Sequence, residues 1–456
     1  MNILVAALRS NKQLWLMLVT MVALAECAVA AFDAKIPPQS PAAQSAAEAR
    51  VDRPAHVYPR TWQERRKAWR LSREQDRGAI VWVGDSAVAG GEQDLAAQFP
   101  TLKIANRGIP GDSAQGVAER LVDDVLSLNP AAVVLQIGSN ELQSGATPEA
   151  IAVDFKLILQ SLESHSPSLP VIVCQVFPGS ADGRPSAESV KALNALILDA
   201  VRQHPTITYV ETWSMFADAQ GHARSVDFPK QLNPSTATYE KWAAAVRPIL
   251  STLGILTEPV DEFQIEPGYV SLFNGRDLTG WGFRPTPQAD IDAAKKRDAA
   301  SARPPVRFYS DAIQNFDGVA TTPEGRYVVR AGKLVVTTPP EYRKIQQLWT
   351  QREFTEDFVL KLEFRATPNA DSGVYLRGPQ LQVRDYTVAG PYLQLKNYRP
   401  QDWNELEVTV RGSIAVCVCN GEVLEAAFKV PSSGPIGLEG DRGQMEYRRI
   451  RLKVAP

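Results

Sequence analysis

The sequence predicts two dissimilar folds in one chain, an α/β domain with a parallel sheet followed by an all-β sandwich. Two rhythms carry this reading. Between residues 61 and 253 short apolar runs alternate with amphipathic helical stretches, the pattern of a parallel sheet covered by helices on both faces. From Tyr269 onward period-two alternation takes over, as in stacked antiparallel sheets. Residues 254–267 follow neither rhythm and read as a linker, leaving 268–456 for the sandwich. A chain of 456 residues has room for two or three such cores.

Taken in order, Arg9 and Lys12 precede the apolar run Leu14 to Ala25, and Ala28-Val29-Ala30 supplies small residues where a signal peptidase reads. Residues 1–30 are therefore expected to be a signal peptide directing export to the periplasm or cell exterior. Glu26 interrupts the run short of the about 20 apolar residues that a membrane span needs. Residues 31–60, rich in Pro, Ala and Ser, read as a linker. A leading helix is expected over Thr61 to Gln75, then strands at Ala79 to Val83, Leu102 to Ala105, Ala132 to Ile137, Val171 to Val176 and Ile207 to Val210. Helical patterns occupy Ser113 to Leu128, Pro148 to Ser164, Ala187 to His204 and Ala237 to Leu253. In the second half, Phe358, Leu360, Leu362 and Phe364 alternate with Val359, Lys361, Glu363 and Arg365. The same beat recurs at Leu406 to Val410 and Ile414 to Val418, and Asn420-Gly421 is a hairpin signal. Residues 284–318 lack the alternation and read as a surface insertion.

Composition narrows the function. A formal net charge of -2 gives no electrostatic basis for binding nucleic acid, and small neutral partners suit it better. The cysteines imply neither a disulfide framework nor metal-ligand spacing: Cys27 lies in the signal segment, and Cys417 and Cys419, two apart on a strand, point the same way. No cofactor is implied.

Three blocks carry chemistry in the first domain: Gly84-Asp85-Ser86, Gly108-Ile109-Pro110-Gly111-Asp112 and Gly138-Ser139-Asn140, each following an apolar strand. A serine between strand and helix stands at the carboxyl edge of the sheet, where open α/β proteins carry ligands. The Ser86 N–H, the Gly111 N–H and the Asn140 amide are the donors that one developing oxyanion needs. Residues 78–253 resemble the SGNH/GDSL hydrolase family of esterases, lipases and carbohydrate deacetylases, a three-layer flavodoxin-like α/β fold. The resemblance implies Ser86 as nucleophile with Gly111 and Asn140 as oxyanion donors. The family's closing block is Asp-x-x-His, where this chain reads Asp227-Phe228-Pro229-Lys230-Gln231. A serine hydroxyl without a base is a poor nucleophile. Three arrangements follow: His222 reaches in from the preceding loop, Lys230 serves as base, or the domain binds without cleaving esters.

In the second domain the motifs are Val270-Ser271-Leu272-Phe273-Asn274-Gly275, Asp371-Ser372-Gly373-Val374-Tyr375-Leu376-Arg377, Gln380-Leu381-Gln382-Val383-Arg384-Asp385 and Gly434-Pro435-Ile436-Gly437-Leu438-Glu439. On these, residues 269–454 resemble the 3-keto-disaccharide hydrolase family, a concanavalin-like jelly-roll sandwich acting on 3-keto-glucosides. If Val374 and Leu376 face the core, Tyr375 and Arg377 face the other way, and Gln380 and Gln382 do so beside Leu381. A face of aromatic, amide and charged side chains suits a sugar. Glu363, Asp385 and Glu439 are the candidate acid and base carboxylates, with Arg377 to hold a ketone oxygen. Where the resemblance implies Glu two residues before Gln382, this chain has Gln380, and it has no histidine after His222. The combined expectation is an exported carbohydrate-active hydrolase whose chemistry sits in the sandwich. The alternatives are a carbohydrate O-acetylesterase using Ser86 and a glycan-binding surface protein without turnover.

Overall fold

The computed structural model describes Tyr58 and residues 60–455, apart from positions 181, 183, 203, 205, 230–233, 260, 302 and 339–342. The expected signal segment and the candidate base Lys230 lie outside the described residues.

A leading helix α1 (Arg60–Ser72) precedes β1 (Ile80–Gly84), α2 (Ser86–Ala89), α3 (Glu92–Gln98), β2 (Ile104–Gly108), α4 (Ala114–Asp124) and β3 (Ala132–Gln136). The domain continues with α5 (Ser139–Gln143), α6 (Pro148–His165), β4 (Val171–Cys174), α7 (Ala187–Val201), β5 (Ile207–Val210), α8 (Thr212–Phe216) and α9 (Thr236–Thr252). The five strands form a parallel sheet in the order β2-β1-β3-β4-β5, the flavodoxin-like order. Successive residues of β1 enter different cores. Val81 and Val83 pack with Val117, Phe155 and Leu193 on one side. Ile80 and Trp82 pack with Leu95, Trp242 and Val246 on the other. Burial on both faces is why β1, β3 and β4 read as nearly unbroken apolar runs, whereas β2 begins at Ile104 rather than the expected Leu102 and carries the buried Asn106 and Arg107. Helices start where side chains cap them: Ser113 accepts from the Gly116 N–H, Thr147 precedes Pro148, and Ser235 accepts from the Thr238 N–H.

The second half opens with β6 (Val270–Ser271), β7 (Trp281–Phe283), α10 (Gln288–Asp298), β8 (Val306–Arg307), β9 (Gln314–Asn315), β10 (Tyr327–Arg330), β11 (Lys333–Val336), β12 (Lys344–Phe354) and β13 (Phe358–Ala366). It closes with β14 (Gly373–Leu376), β15 (Gln380–Gln382), α11 (Tyr386–Ala389), β16 (Asn404–Arg411), β17 (Ile414–Cys419), β18 (Glu422–Lys429), β19 (Gly434–Gly440) and β20 (Met445–Val454). One sheet runs β10-β11-β20-β13-β16-β17-β18 with β6 beside β20, and the other runs β15-β14-β19-β12-β7-β9 with β8 beside β12. Leu360, Leu362, Phe364, Val408 and Leu438 fill the space between them. The stretch expected to be a surface insertion carries α10, and its β8 pairs in parallel with β12.

The linker does not float between the halves. Glu258 accepts hydrogen bonds from Lys333 at 2.9 Å and Arg365 at 2.8 Å, both cations also meet the buried Glu446, and Lys333 reaches Ser251 at the end of α9. Further along, Asp261 pairs with Arg449 and Glu266 with Arg451, while Phe263 lies beneath both guanidinium groups. The outer face of the β13–β20 sheet is therefore partly covered by residues that the sequence presents as a spacer.

Candidate functional site

In the first domain the three loops are tied to one another. Asp85 caps α2 by accepting from the Ala87 N–H at 2.9 Å and accepts from the Ser139 hydroxyl at 2.6 Å. Asn140 donates to the Asp112 carbonyl at 2.9 Å, and Glu141 accepts from the Ala114 N–H at 2.5 Å. These bonds draw the segments bearing Ser86, Gly111 and Asn140 together. Beneath them lies a fully buried ion pair, Arg120 to Asp112 at 2.8 Å, and Arg120 also donates to the Arg107 carbonyl. Gly111 adopts φ +80°, a turn that suits glycine. Asn106 and Tyr239 hold α2 from outside: the Asn106 amide donates to the Val88 carbonyl at 2.6 Å and the Tyr239 hydroxyl to the Ala87 carbonyl at 2.8 Å. Burial pushes the Glu141 carboxyl up to about 8, with Asp85 and Asp112 adding to the effect.

The base side of this site is built differently. The Ser86 hydroxyl makes no hydrogen bond among the described residues. The backbone N–H of His222 donates to Asp218, and its half-buried ring has no hydrogen bond or ion pair among the described residues. Asp227 is buried, but its carboxylate is engaged by Arg224 at 2.8 Å and Lys241 at 2.6 Å rather than by an imidazole.

In the sandwich the sheet of β15, β14, β19 and β12 carries a cavity of about 300 Å³ lined by Tyr375, Gln380, Glu439, Gln346 and Gln347. The Tyr375 hydroxyl donates to Glu439 at 3.0 Å, Gln380 donates to the other carboxyl oxygen, and Gln347 donates to the Tyr375 oxygen at 2.7 Å. Burial first, then the neighbouring Asp441 and Asp371, push the Glu439 carboxyl up to about 7 despite these donors. Burial and the facing carboxyl raise the Tyr375 phenol, so it stays protonated. A smaller recess continues past Trp349, Phe308 and Tyr309. Trp349 lies across Gly437, where a Cβ would come within 2.6 Å of the indole.

Two family models match the chain. That of the GDSL-like Lipase/Acylhydrolase family covers residues 78–241, and that of the 3-keto-alpha-glucoside-1,2-lyase-like domain covers residues 268–453. The chain joins a GDSL-like acylhydrolase domain to a 3-keto-glucoside lyase-like domain. Both domains mark it as a hydrolase. Platelet-activating factor acetylhydrolase IB subunit alpha1 of Bos taurus is 29% identical over 182 residues, 39% of this chain and 77% of that protein. The Homo sapiens counterpart is 28% identical over 177 residues, 38% of this chain and 76% of that protein. Among solved structures, a GDSL-like lipase from Bacteroides thetaiotaomicron VPI-5482 has a TM-score of 0.37 at 17% identity, covering 41% of this chain and 97% of that chain.

The lyase-like domain brings Tyr375, Gln380 and Glu439 to one cavity and leaves the other candidates elsewhere. Glu363 sits on the opposite sheet, held by Arg448 at 2.7 Å and Arg449 at 2.6 Å. Arg377 adopts φ +56° and spends its guanidinium on the carbonyls of Gly412, Pro431 and Glu356. Asp385 is buried in a loop network with Asn369, Thr387 and Gln401, and it borders a separate cavity of about 910 Å³ shared with Trp213 and Lys241 of the acylhydrolase domain. Gln382 follows Gln380 on the same strand face, with its Oε1 buried and unpaired among the described residues. Gln346, Gln347 and Trp349 of β12 were not singled out from sequence, nor were Asn106, Ser139, Glu141 and Lys241 in the acylhydrolase domain.

Proposed function

We propose that the protein is an exported carbohydrate-active enzyme that cleaves 3-keto-glycosides in the Glu439 cavity, and that the acylhydrolase domain is not an ordinary serine esterase. One observation carries the reading: a buried carboxyl near pH 7, held by Tyr375 and Gln380, at the floor of a cavity lined with amides and aromatic rings. A ketone at C3 of a sugar acidifies the C2–H bond. Glu439 as carboxylate takes that proton, and the electron pair moves into the C2–C3 enolate. The enolate then collapses to a C1–C2 double bond, and the C1–O bond breaks with its electrons on the departing oxygen. That oxygen takes a proton, for which the Tyr375 hydroxyl beside Glu439 is our assigned donor. Water added across the new double bond makes the net change a hydrolysis. Amides at Gln346 and Gln380 suit the ketone oxygen and ring hydroxyls, and Trp349 offers a face for C–H stacking. Export is supported by the basic residues, apolar run and small residues before Ala31, and no helix among the described residues is long and apolar enough to cross a membrane.

The test is turnover of p-nitrophenyl 3-keto-glucoside by the full chain. Glu439→Gln is expected to lower kcat by about 10²–10⁴, the usual worth of a general base, while Ser86→Ala leaves it in place. A Glu439→Gln variant with undiminished turnover sinks the reading. The second reading, acetyl-ester hydrolysis at Ser86, is favoured by the tied oxyanion loops and by the acetylhydrolase relatives. Cleavage of p-nitrophenyl acetate that vanishes in Ser86→Ala would establish it, with Lys230 as the base to examine next.

A further inference from the structure

The insertion between β7 and β12 places a helix against the Glu439 cavity. Four residues of α10 border it: Asp290, Ala293, Ala294 and Arg297. Their spacing of three, four and seven is one face of a helix. The centre of that face is small, with Ala294 3% exposed against the domain, and its ends carry opposite charges two turns, about 10 Å, apart. Neither the Asp290 carboxylate nor the Arg297 guanidinium has a hydrogen bond or ion pair among the described residues. The neighbouring Arg307, by contrast, is spent on Asp298 through two bonds of 2.5 and 3.1 Å, which fasten the end of α10 to β8 and so to β12. A second observation points to a ligand here. Gln346, 4% exposed and lining the same cavity, leaves its Oε1 buried without a donor among the described residues. A buried acceptor of this kind costs free energy until a hydroxyl or water meets it.

We propose that α10 is the specificity element of the cavity: it closes the groove to polysaccharide chains and presents Asp290 and Arg297 to the hydroxyls of a short 3-keto-glycoside. The inference rests on the reading of the Glu439 cavity as the sugar site. At about 300 Å³ the space lies at the lower end of the range for small-molecule sites, the size of one or two rings.

Steady-state kinetics of the full chain on p-nitrophenyl 3-keto-glucoside, a 3-keto-disaccharide and a 3-keto-tetrasaccharide test it. The wild type is expected to lose kcat/KM sharply at the tetrasaccharide. Arg297→Ala is expected to raise KM about tenfold with little change in kcat, as the loss of one charge-assisted hydrogen bond does. Ala293→Trp, at an exposed position facing the cavity, is expected to raise KM on all three substrates with an unchanged melting temperature. Equal kcat/KM on tetrasaccharide and monosaccharide substrates, or unmoved KM values in Arg297→Ala, overturns the role of α10. Sensitivity to Glu439→Gln in that case leaves the sugar site standing. A wild type inert on all three substrates overturns both.

Discussion

Glu439 is a proton-sensitive residue in two senses. Its carboxyl titrates near 7 in the folded chain and near its ordinary 4.5 when unfolded. Between those values the folded state holds a proton that the unfolded state has released, so this residue's contribution to stability is full below about 4.5 and is lost as the pH rises through about 7. Glu439→Gln removes the dependence, and its melting temperature should gain on the wild type as the buffer is taken from pH 5 to pH 8. Catalysis runs the other way, since only the carboxylate can take a proton, so wild-type turnover should climb through about 7. A melting-temperature series and a pH–rate profile read the two together; a parallel pH response of variant and wild type contradicts the assignment. Tyr375 and Gln380 were legible in sequence because each alternates with core residues, and Glu439 because it is the carboxylate that closes the Gly434–Glu439 motif. Gln346 and Gln347 were not, because two adjacent polar residues hide the face of β12, and a register shift beyond Trp349 breaks its beat. Arg377, expected to hold a ketone oxygen in the cavity, lies elsewhere for another reason: its positive φ turns the side chain out of the alternation. Alternation also names a face without naming its sheet, which is how Glu363 was grouped with residues of the opposite layer.

Among elements, α2 depends on how closely it can approach β2. A Cβ at Gly108 would stand 2.2 Å from the Ala89 backbone nitrogen. Gly108→Ala must therefore displace the turn that carries Ser86, at a cost of about 1–3 kcal/mol for a crowded core. Urea denaturation should register that loss, and unchanged stability would mean that α2 can shift freely. Four of the parallel strands and the longer helices of this domain were readable because each is periodic or apolar and bounded by caps or turns, whereas β2 begins two residues later than expected, its apolar run broken by Asn106 and Arg107. Helix α10 was not readable. Its sequence QADIDAAKKRD buries only Ala294, so it shows almost no apolar stripe, and its place is set by Arg307–Asp298 and by the β8–β12 pairing.

At the scale of the whole molecule, the two halves are joined by charge as well as by chain. Burial works against the Glu258 carboxylate, yet Arg365 and Lys333 hold its pKa down to about 2. Its contribution is present above the ordinary value of 4.5 and is lost as the pH falls toward about 2. Glu258→Ala leaves Lys333 and Arg365 sharing Glu446 alone, and breaking a buried ionic group in this way costs about 3–5 kcal/mol. Calorimetry should then resolve two transitions where the wild type gives one; a single unshifted transition would show the halves coupled by other contacts. None of this was legible beforehand, because a glutamate in a segment without periodicity looks like any solvated spacer residue. One of the two counter-ions for the sandwich's buried cations is thus encoded upstream of the sandwich itself. Recombination that grafts this carboxyl-terminal half onto another partner must carry the stretch around Glu258 along, or the hybrid inherits an uncompensated positive charge at its seam.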